Sequence, residues 1–162
     1  MIKNYKIRCY DVLGKKYLFD SQKLKFRPSV YGLLIEKGKV LLSKQWDGYD
    51  FPGGGIEISE TVEQALIREF NEETGLKIRP VKLIDVSSSF FVGRIQKGPF
   101  NSILIYYLVK KISGRLSIDN ATKLEKLYIG RPEWVEIKKI NQVKFYNSVN
   151  NTELIKKALN SK

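Results

Sequence analysis

The chain has 162 residues, of which 43% are hydrophobic, and carries 29 Lys+Arg against 17 Asp+Glu for a formal net charge of +12. It contains no histidine and a single cysteine, Cys9. Ser-His-Asp and Cys-His nucleophilic systems, histidine-ligated zinc, thiolate clusters and intrachain disulfides are therefore excluded, leaving carboxylate as the metal-binding chemistry. The length suits one domain, 1–162, with a sizeable core. A basic surface favours phosphorylated partners. The lysines are scattered rather than run together, which favours a small-molecule nucleotide over a nucleic acid. Lys3, Lys6 and Arg8 interrupt any apolar run at the start, and no stretch approaches the roughly 20 apolar residues of a membrane span, so a cytoplasmic protein without membrane association is expected.

In chain order, Lys6 to Phe19 reads as a β-hairpin around Leu13-Gly14, part of an N-terminal extension over 1–27 that either adds to a sheet or forms an oligomer contact, leaving a homodimer open. Lys25-Phe26-Arg27-Pro28 reads as a linker into a core over 28–162. Val30 to Ile35 is an apolar strand, and beyond the Lys37-Gly38 turn Val40 to Ser43 is its hairpin partner. Trp46 to Phe51 leads into Pro52-Gly53-Gly54-Gly55, a turn at which backbone can approach a ligand closely. A helix is predicted over Val62 to Thr74, with Thr61 and Gln64 as a capping-box pair and Gly75 as the left-handed stop. Strands follow at about Val81 to Ser88 and Ser102 to Lys110, separated by a long loop from Ser87 to Phe100. Val135 to Ile137 is a short late strand, and Thr152 to Leu159 a C-terminal helix with Leu154, Ile155, Ala158 and Leu159 as its apolar face. A mixed sheet flanked by helices follows from this order, an α/β class.

The Val62–Thr74 helix breaks its own pattern. Val62, Leu66, Glu69 and Glu73 fall on one stripe, with Glu72 beside it, so the stripe begins as core and ends as carboxylate. Side chains three and four apart have Cβ atoms about 5–6 Å apart. Two charges at that separation repel by roughly 3 kcal/mol at an effective dielectric near 20. Such a cluster in a cleft requires a cation, and an all-oxygen set favours magnesium or manganese. Arg68, about 100° around the helix from Glu69, can hold one carboxylate but not neutralise three. Departures from folding logic of this kind belong to functional sites.

Gly54, five residues, Glu60, seven residues, then Arg68-Glu69-Phe70-Asn71-Glu72-Glu73-Thr74-Gly75-Leu76 matches the Nudix box at every defined position. The chain thus resembles the Nudix hydrolases, and its looser surroundings resemble them over about Val30 to Ile140. Ser59, where relatives of this loop often have Gly, is the visible departure. The resemblance implies an α/β/α sandwich with a mixed sheet, here carrying the N-terminal β-hairpin as an addition. It implies cleavage of the pyrophosphate of a nucleoside diphosphate linked to another group, with magnesium or manganese as cofactor. Glu72 and Glu73 are then metal ligands, Glu69 the general base or a further ligand, Arg68 a residue orienting a glutamate, and Gly53 a backbone carbonyl for the metal. Family members differ on which glutamate is the base, and Glu72 shares the catalytic assignment.

On the substrate side the candidates are Trp46, Phe91 and Arg94, able to stack a base or hold a phosphate. Glu125 is the candidate for a further carboxylate from a distant loop, with Asp119 and Glu133 as alternatives. Nucleoside triphosphates, nucleotide sugars, dinucleoside polyphosphates and RNA 5′ ends all stay open as substrates. A Nudix-type module that senses a nucleotide without cleaving it is the reading from another class, and intact Glu69, Glu72 and Glu73 argue against it.

Overall fold

The computed structural model describes residues 5–95 and 97–161. Among the described residues, ten strands and two α-helices run in the order β1 (Lys6–Tyr10), β2 (Lys16–Asp20), β3 (Lys25–Phe26), β4 (Ser29–Glu36), β5 (Lys39–Gln45), β6 (Gly48–Asp50), β7 (Gly53–Gly55), α1 (Val62–Thr74), β8 (Leu76–Gly93), β9 (Gly98–Gly114), β10 (Glu133–Glu136) and α2 (Asn151–Leu159). Short 3-10 turns occupy Ser21–Lys23, Glu125–Leu127 and Ile137–Gln142. The strands pair in the order β10-β5-β4-β9-β8-β1-β2. β4 and β9 run parallel, β8 and β9 antiparallel, and the sheet is mixed.

β4 shows why the sequence chose this architecture. Val30 and Leu34 point to one face, where they pack with Ala65, Leu66 and Phe70 of α1. Leu33 and Ile35 point to the other, against Leu154, Ile155 and Ala158 of α2. A strand covered on both faces reads as a continuous apolar run, which is how Val30 to Ile35 reads. The result is an α/β/α sandwich. Leu159, placed on the apolar face of α2 by its spacing, is 38% exposed. Among the described residues, no helix is long and apolar enough to cross a membrane.

Two expectations are corrected. The segment from Ser87 to Phe100 is not a long loop: β8 and β9 pair without a break from Val86↔Ile105 to Gly93↔Gly98, with Arg94, Ile95 and Lys97 in turn conformation. Three serines, two glycines and a proline look like loop chemistry, but a full ladder of backbone hydrogen bonds with β9 outweighs those weak propensities. Gln96, part of that segment, lies outside the described residues, as does Lys3. Nor is Lys25–Pro28 a free linker. Lys25 and Phe26 pair with Phe100 and Asn101, the Arg27 N–H donates to Asn101 O at 2.9 Å, and Ser102 Oγ donates to Arg27 O at 2.6 Å. The β1–β2 hairpin extends the sheet edge through Tyr10↔Phe91, so its place on the sheet is decided.

Candidate active site

α1 forms where its caps dictate. Gln64 N–H donates to Thr61 Oγ1 at 3.2 Å, and Thr61 N–H donates to Gln64 Oε1 at 2.9 Å, satisfying two orphan donors reciprocally. Gly75, at φ 72°, ends it. Between these caps α1 lies against the glycine turn. A Cβ on Gly54 would stand 2.5 Å from Glu69 Oε2, so only glycine lets that carboxylate reach the turn. Gly53 has φ 151° and a Cβ there would collide with the Val30 carbonyl oxygen.

Arg68 does more than its helical angle suggests. Its Nε and Nη2 donate to Glu60 at 2.6 and 2.8 Å, its Nη1 to Glu69 at 2.9 Å and to Glu72 at 3.1 Å, and Nη2 also to Gly55 O at 3.1 Å. The expectation of one carboxylate per arginine is corrected: the guanidinium fork serves three and ties them to the glycine turn. The Arg68 hydrogen bonds hold Glu60 down at about 2.

The carboxylates of α1 behave differently. Burial pushes Glu69 up to about 7, against the opposing pull of Arg68. Burial also raises Glu72. Glu73 is raised well above the usual carboxylate range by burial and by the neighbouring Glu69, with the Gly53 N–H, 3.2 Å from Oε2, pulling the other way. Gly53 thus meets α1 through its N–H, whereas the resemblance implies its carbonyl as a metal ligand.

Glu69, Glu72 and Glu125 place carboxylate oxygens within 4.8 Å of one another. Glu73, one helical position further, lies deeper on the Gly53 N–H and is not in that grouping, so the tight trio differs from the one that α1 alone presents. Glu125 comes from the 3-10 turn and is held in a reciprocal pair: Thr122 N–H donates to its Oε2 at 2.7 Å, and its own N–H donates to Thr122 Oγ1 at 3.2 Å. Of its two alternatives, Glu133 instead accepts from Tyr49 OH at 2.9 Å, and Asp119 is not in the grouping. Three converging, partly desolvated carboxylates, of which Arg68 pairs with Glu69 and Glu72, leave excess negative charge. That donor set fits a hard divalent cation.

The sequence profile of the NUDIX domain matches residues 25–156. The chain belongs to the NUDIX family. It is 42% identical over 74 residues to an RNA pyrophosphohydrolase of Teredinibacter turnerae, covering 43% of each chain. A Haemophilus influenzae protein of the same name is 40% identical over 76 residues, 44% of this chain and 38% of that one. The matches thus span about two fifths of the length of these curated relatives. In fold it is similar to an ADP-ribose pyrophosphatase from Streptococcus suis (TM-score 0.63, 14% identity, 83% of this chain and 90% of that one). It is similar also to a NUDIX hydrolase from Nitrosomonas europaea (TM-score 0.61, 20% identity, 85% and 91%).

Around the carboxylates of this NUDIX protein lie groups that sequence reasoning missed. Arg27 lies at the glycine turn, its Nη2 3.2 Å from the point where a Gly55 Cβ would be, and its Nη1 donates to the neutral Ser29 Oγ at 3.4 Å. Reading Lys25–Pro28 as a linker hid it; the signal was an arginine leading directly into the central strand. Tyr128, also missed, stacks on Trp46 with centroids 5.1 Å apart. Trp46 and Arg94, chosen separately, meet: the guanidinium stands 4.4 Å from the indole centroid. Phe91 instead stacks on its cross-strand partner Phe100 at 5.2 Å, a packing role within the β8–β9 hairpin.

Proposed function

We propose that this NUDIX protein is a metal-dependent hydrolase that cleaves the pyrophosphate bond of a nucleoside diphosphate linked to another group. The observation that carries the reading is the convergence of Glu69, Glu72 and Glu125 beside the glycine turn. These three would hold a magnesium or manganese ion, with Glu73 and the Gly53 carbonyl as the further groups implied by the family. When bound, such an ion offsets charge on the phosphate oxygens and makes a water molecule more acidic.

The chain's own residues supply the rest. Burial lifts Glu69 to about 7 in the metal-free protein; Glu69 would serve either as a ligand of the ion or as the base that takes the proton of the attacking water. Arg68 fixes the orientation of Glu69 and Glu72 through Nη1 and anchors both to the Gly55 carbonyl. Arg27, with a neutral hydroxyl as its side-chain partner, is free to bind phosphate oxygens in a forked geometry. The glycine turn keeps side chains out of the space that the phosphates need.

The test is product formation, separated by chromatography, from a panel of nucleoside triphosphates, nucleotide sugars and dinucleoside polyphosphates with and without magnesium: a nucleoside monophosphate with pyrophosphate, with a sugar phosphate or with a second nucleotide. Magnesium-dependent turnover supports the reading; binding without turnover across the panel would mean a sensing module. Arg27→Ala should raise KM roughly tenfold to a hundredfold, the effect of losing a charge-assisted phosphate contact.

A second reading, removal of pyrophosphate from an RNA 5′ end, is favoured by the relatives named for that activity and by the net charge of +12. It requires that a 5′-triphosphorylated oligonucleotide be cleaved with higher kcat/KM than the free triphosphate, the preference falling with added salt.

A further inference from the structure

Trp46 occupies an unusual place. It has φ 45°, a left-handed conformation that bulky side chains rarely adopt and that persists only when its surroundings hold it. Three other segments and its neighbour Asp47 do so. Its N–H donates to Tyr128 O at 3.0 Å, and one face of the indole stacks on the Tyr128 ring at an interplanar angle of 22°. Tyr146 meets it edge-on at 5.5 Å. Arg94, from the β8–β9 turn, stands against the ring with its guanidinium. Asp47 accepts from both Tyr146 OH and Lys144 Nζ, fixing that side of the box.

The box adjoins the carboxylate site. Tyr128 is three residues from Glu125, and the phenol is pushed up to about 12 by burial and by the charges of Glu125, Glu73 and Glu69. Trp46 and Tyr128 are half-buried, whereas Arg94 is exposed. Arg94 also lines a cavity of about 280 Å³ with Asp11, Val12, Leu13, Tyr17, Val92 and Gly93.

We propose that Trp46 is the platform on which the nucleobase of the substrate stacks, and that Arg94 is a displaceable cover over it. The inference rests on the hydrolase reading and names the part of the substrate read beside it. An exposed guanidinium on an indole is a weak contact, whereas a base on a tryptophan gains area as well as π-stacking, so the base displaces the arginine. The displaced guanidinium has room in the cavity that Asp11 lines, giving the N-terminal hairpin a part in recognition. Stacking of this kind tolerates different bases, so the box selects for a nucleoside rather than for one base identity.

Trp46 and Trp134 are the only two tryptophans, so Trp134→Phe leaves Trp46 as the sole indole reporter. In that protein, with EDTA to prevent turnover, AMP should quench the emission saturably and ribose 5-phosphate should not. Trp46→Leu should weaken AMP binding, measured by calorimetry, roughly tenfold or more while leaving inorganic pyrophosphate binding unchanged, and Trp46→Phe should restore most of it. Arg94→Ala should bind adenosine several-fold tighter, because it removes the competitor. Should Trp46→Leu not fold, the emission titration and Arg94→Ala still decide. AMP binding with unaltered Trp46 emission overturns the proposal, as does a folded Trp46→Leu protein that binds AMP like the parent. If magnesium-dependent turnover and pyrophosphate binding persist in that case, the hydrolase reading stands without this slot; if AMP and pyrophosphate both fail to bind, the two fall together.

Discussion

The carboxylate cluster and the Trp46 box lie side by side and are built on opposite principles. The cluster draws three of its four glutamates from a single helix turn, buries Glu69 and Glu73, half-buries Glu72, and ties Glu69 and Glu72 with one guanidinium. The box takes its groups from the β5–β6 turn, the 3-10 turn after Glu125, the segment before α2 and the β8–β9 turn, and leaves its cover exposed. A site that must hold charge at fixed separation belongs on a rigid helix. One that must admit and release a flat, variable group can be assembled from turns, which move more readily. Asp50 joins them: its Oδ1 accepts from Phe51 N–H at 2.8 Å, leading to the glycine turn, and from Asn147 Nδ2 at 2.7 Å, next to Tyr146 of the box.

The sharpest way to break this division is at Glu69. Glu69→Gln should lower kcat by about 10²–10⁴-fold at saturating magnesium if it is the base. The informative partner is Glu72→Gln; a loss under tenfold in both would remove α1 from the chemistry. Gly54→Ala should come next, with kcat down by about 10²-fold, because its Cβ would displace the Glu69 carboxylate and small displacements at a reacting centre are expensive. Normal kinetics in Gly54→Ala would show that the turn tolerates a side chain there.

Asp50 tests the link between the two regions. Burial raises it to about 6, against the Asn147 and Phe51 hydrogen bonds. A carboxyl whose folded pKa lies above its unfolded value near 4 contributes stability that is complete below pH 4 and is lost as pH rises through 6. Each pKa unit corresponds to about 1.4 kcal/mol, so the loss is about 3 kcal/mol. Asn at position 50 keeps an Oδ1 for both donors. Denaturant melts in EDTA should therefore show Asp50→Asn equal to the parent at pH 4 and more stable at pH 8. Glu69, Glu72 and Glu73 shift in the same direction, so a residual slope remains in both proteins. A parallel pH dependence in the two would mean that Asp50 is solvated. The smallest effect is at the helix cap: Thr61→Ala should lower stability by about 1 kcal/mol and leave the Trp46 box untouched, as read from the Trp46 emission in the Trp134→Phe protein.

The helix that carries the cluster is legible in the chain because its signals are local. Thr61, Gln64 and Gly75 act within a few residues of themselves, and α1 runs over Val62–Thr74 as their spacing requires. β4 is legible for a related reason, since burial on both faces leaves an uninterrupted apolar run. The β8–β9 hairpin is not. Ser87-Ser88-Ser89 and Gly98-Pro99 favour a loop locally, and only pairing with residues 5 to 17 positions away makes strands of them.

The same distinction divides the candidate site. The sequence by itself determined α1, its caps, the glycine turn and the acidic stripe, because helical periodicity places i, i+3 and i+4 on one face without help from the rest of the chain. Only the tertiary structure decided that Glu125 rather than Glu73 completes the tight group of oxygens, that Arg27 lies at the glycine turn, and that Arg94 lies on Trp46. Those contacts join residues 28 to 56 positions apart across strands and turns, from Arg27 and Gly55 to Glu69 and Glu125. No short-range propensity encodes a distance of that kind; it follows from which strands pair and which faces they bury.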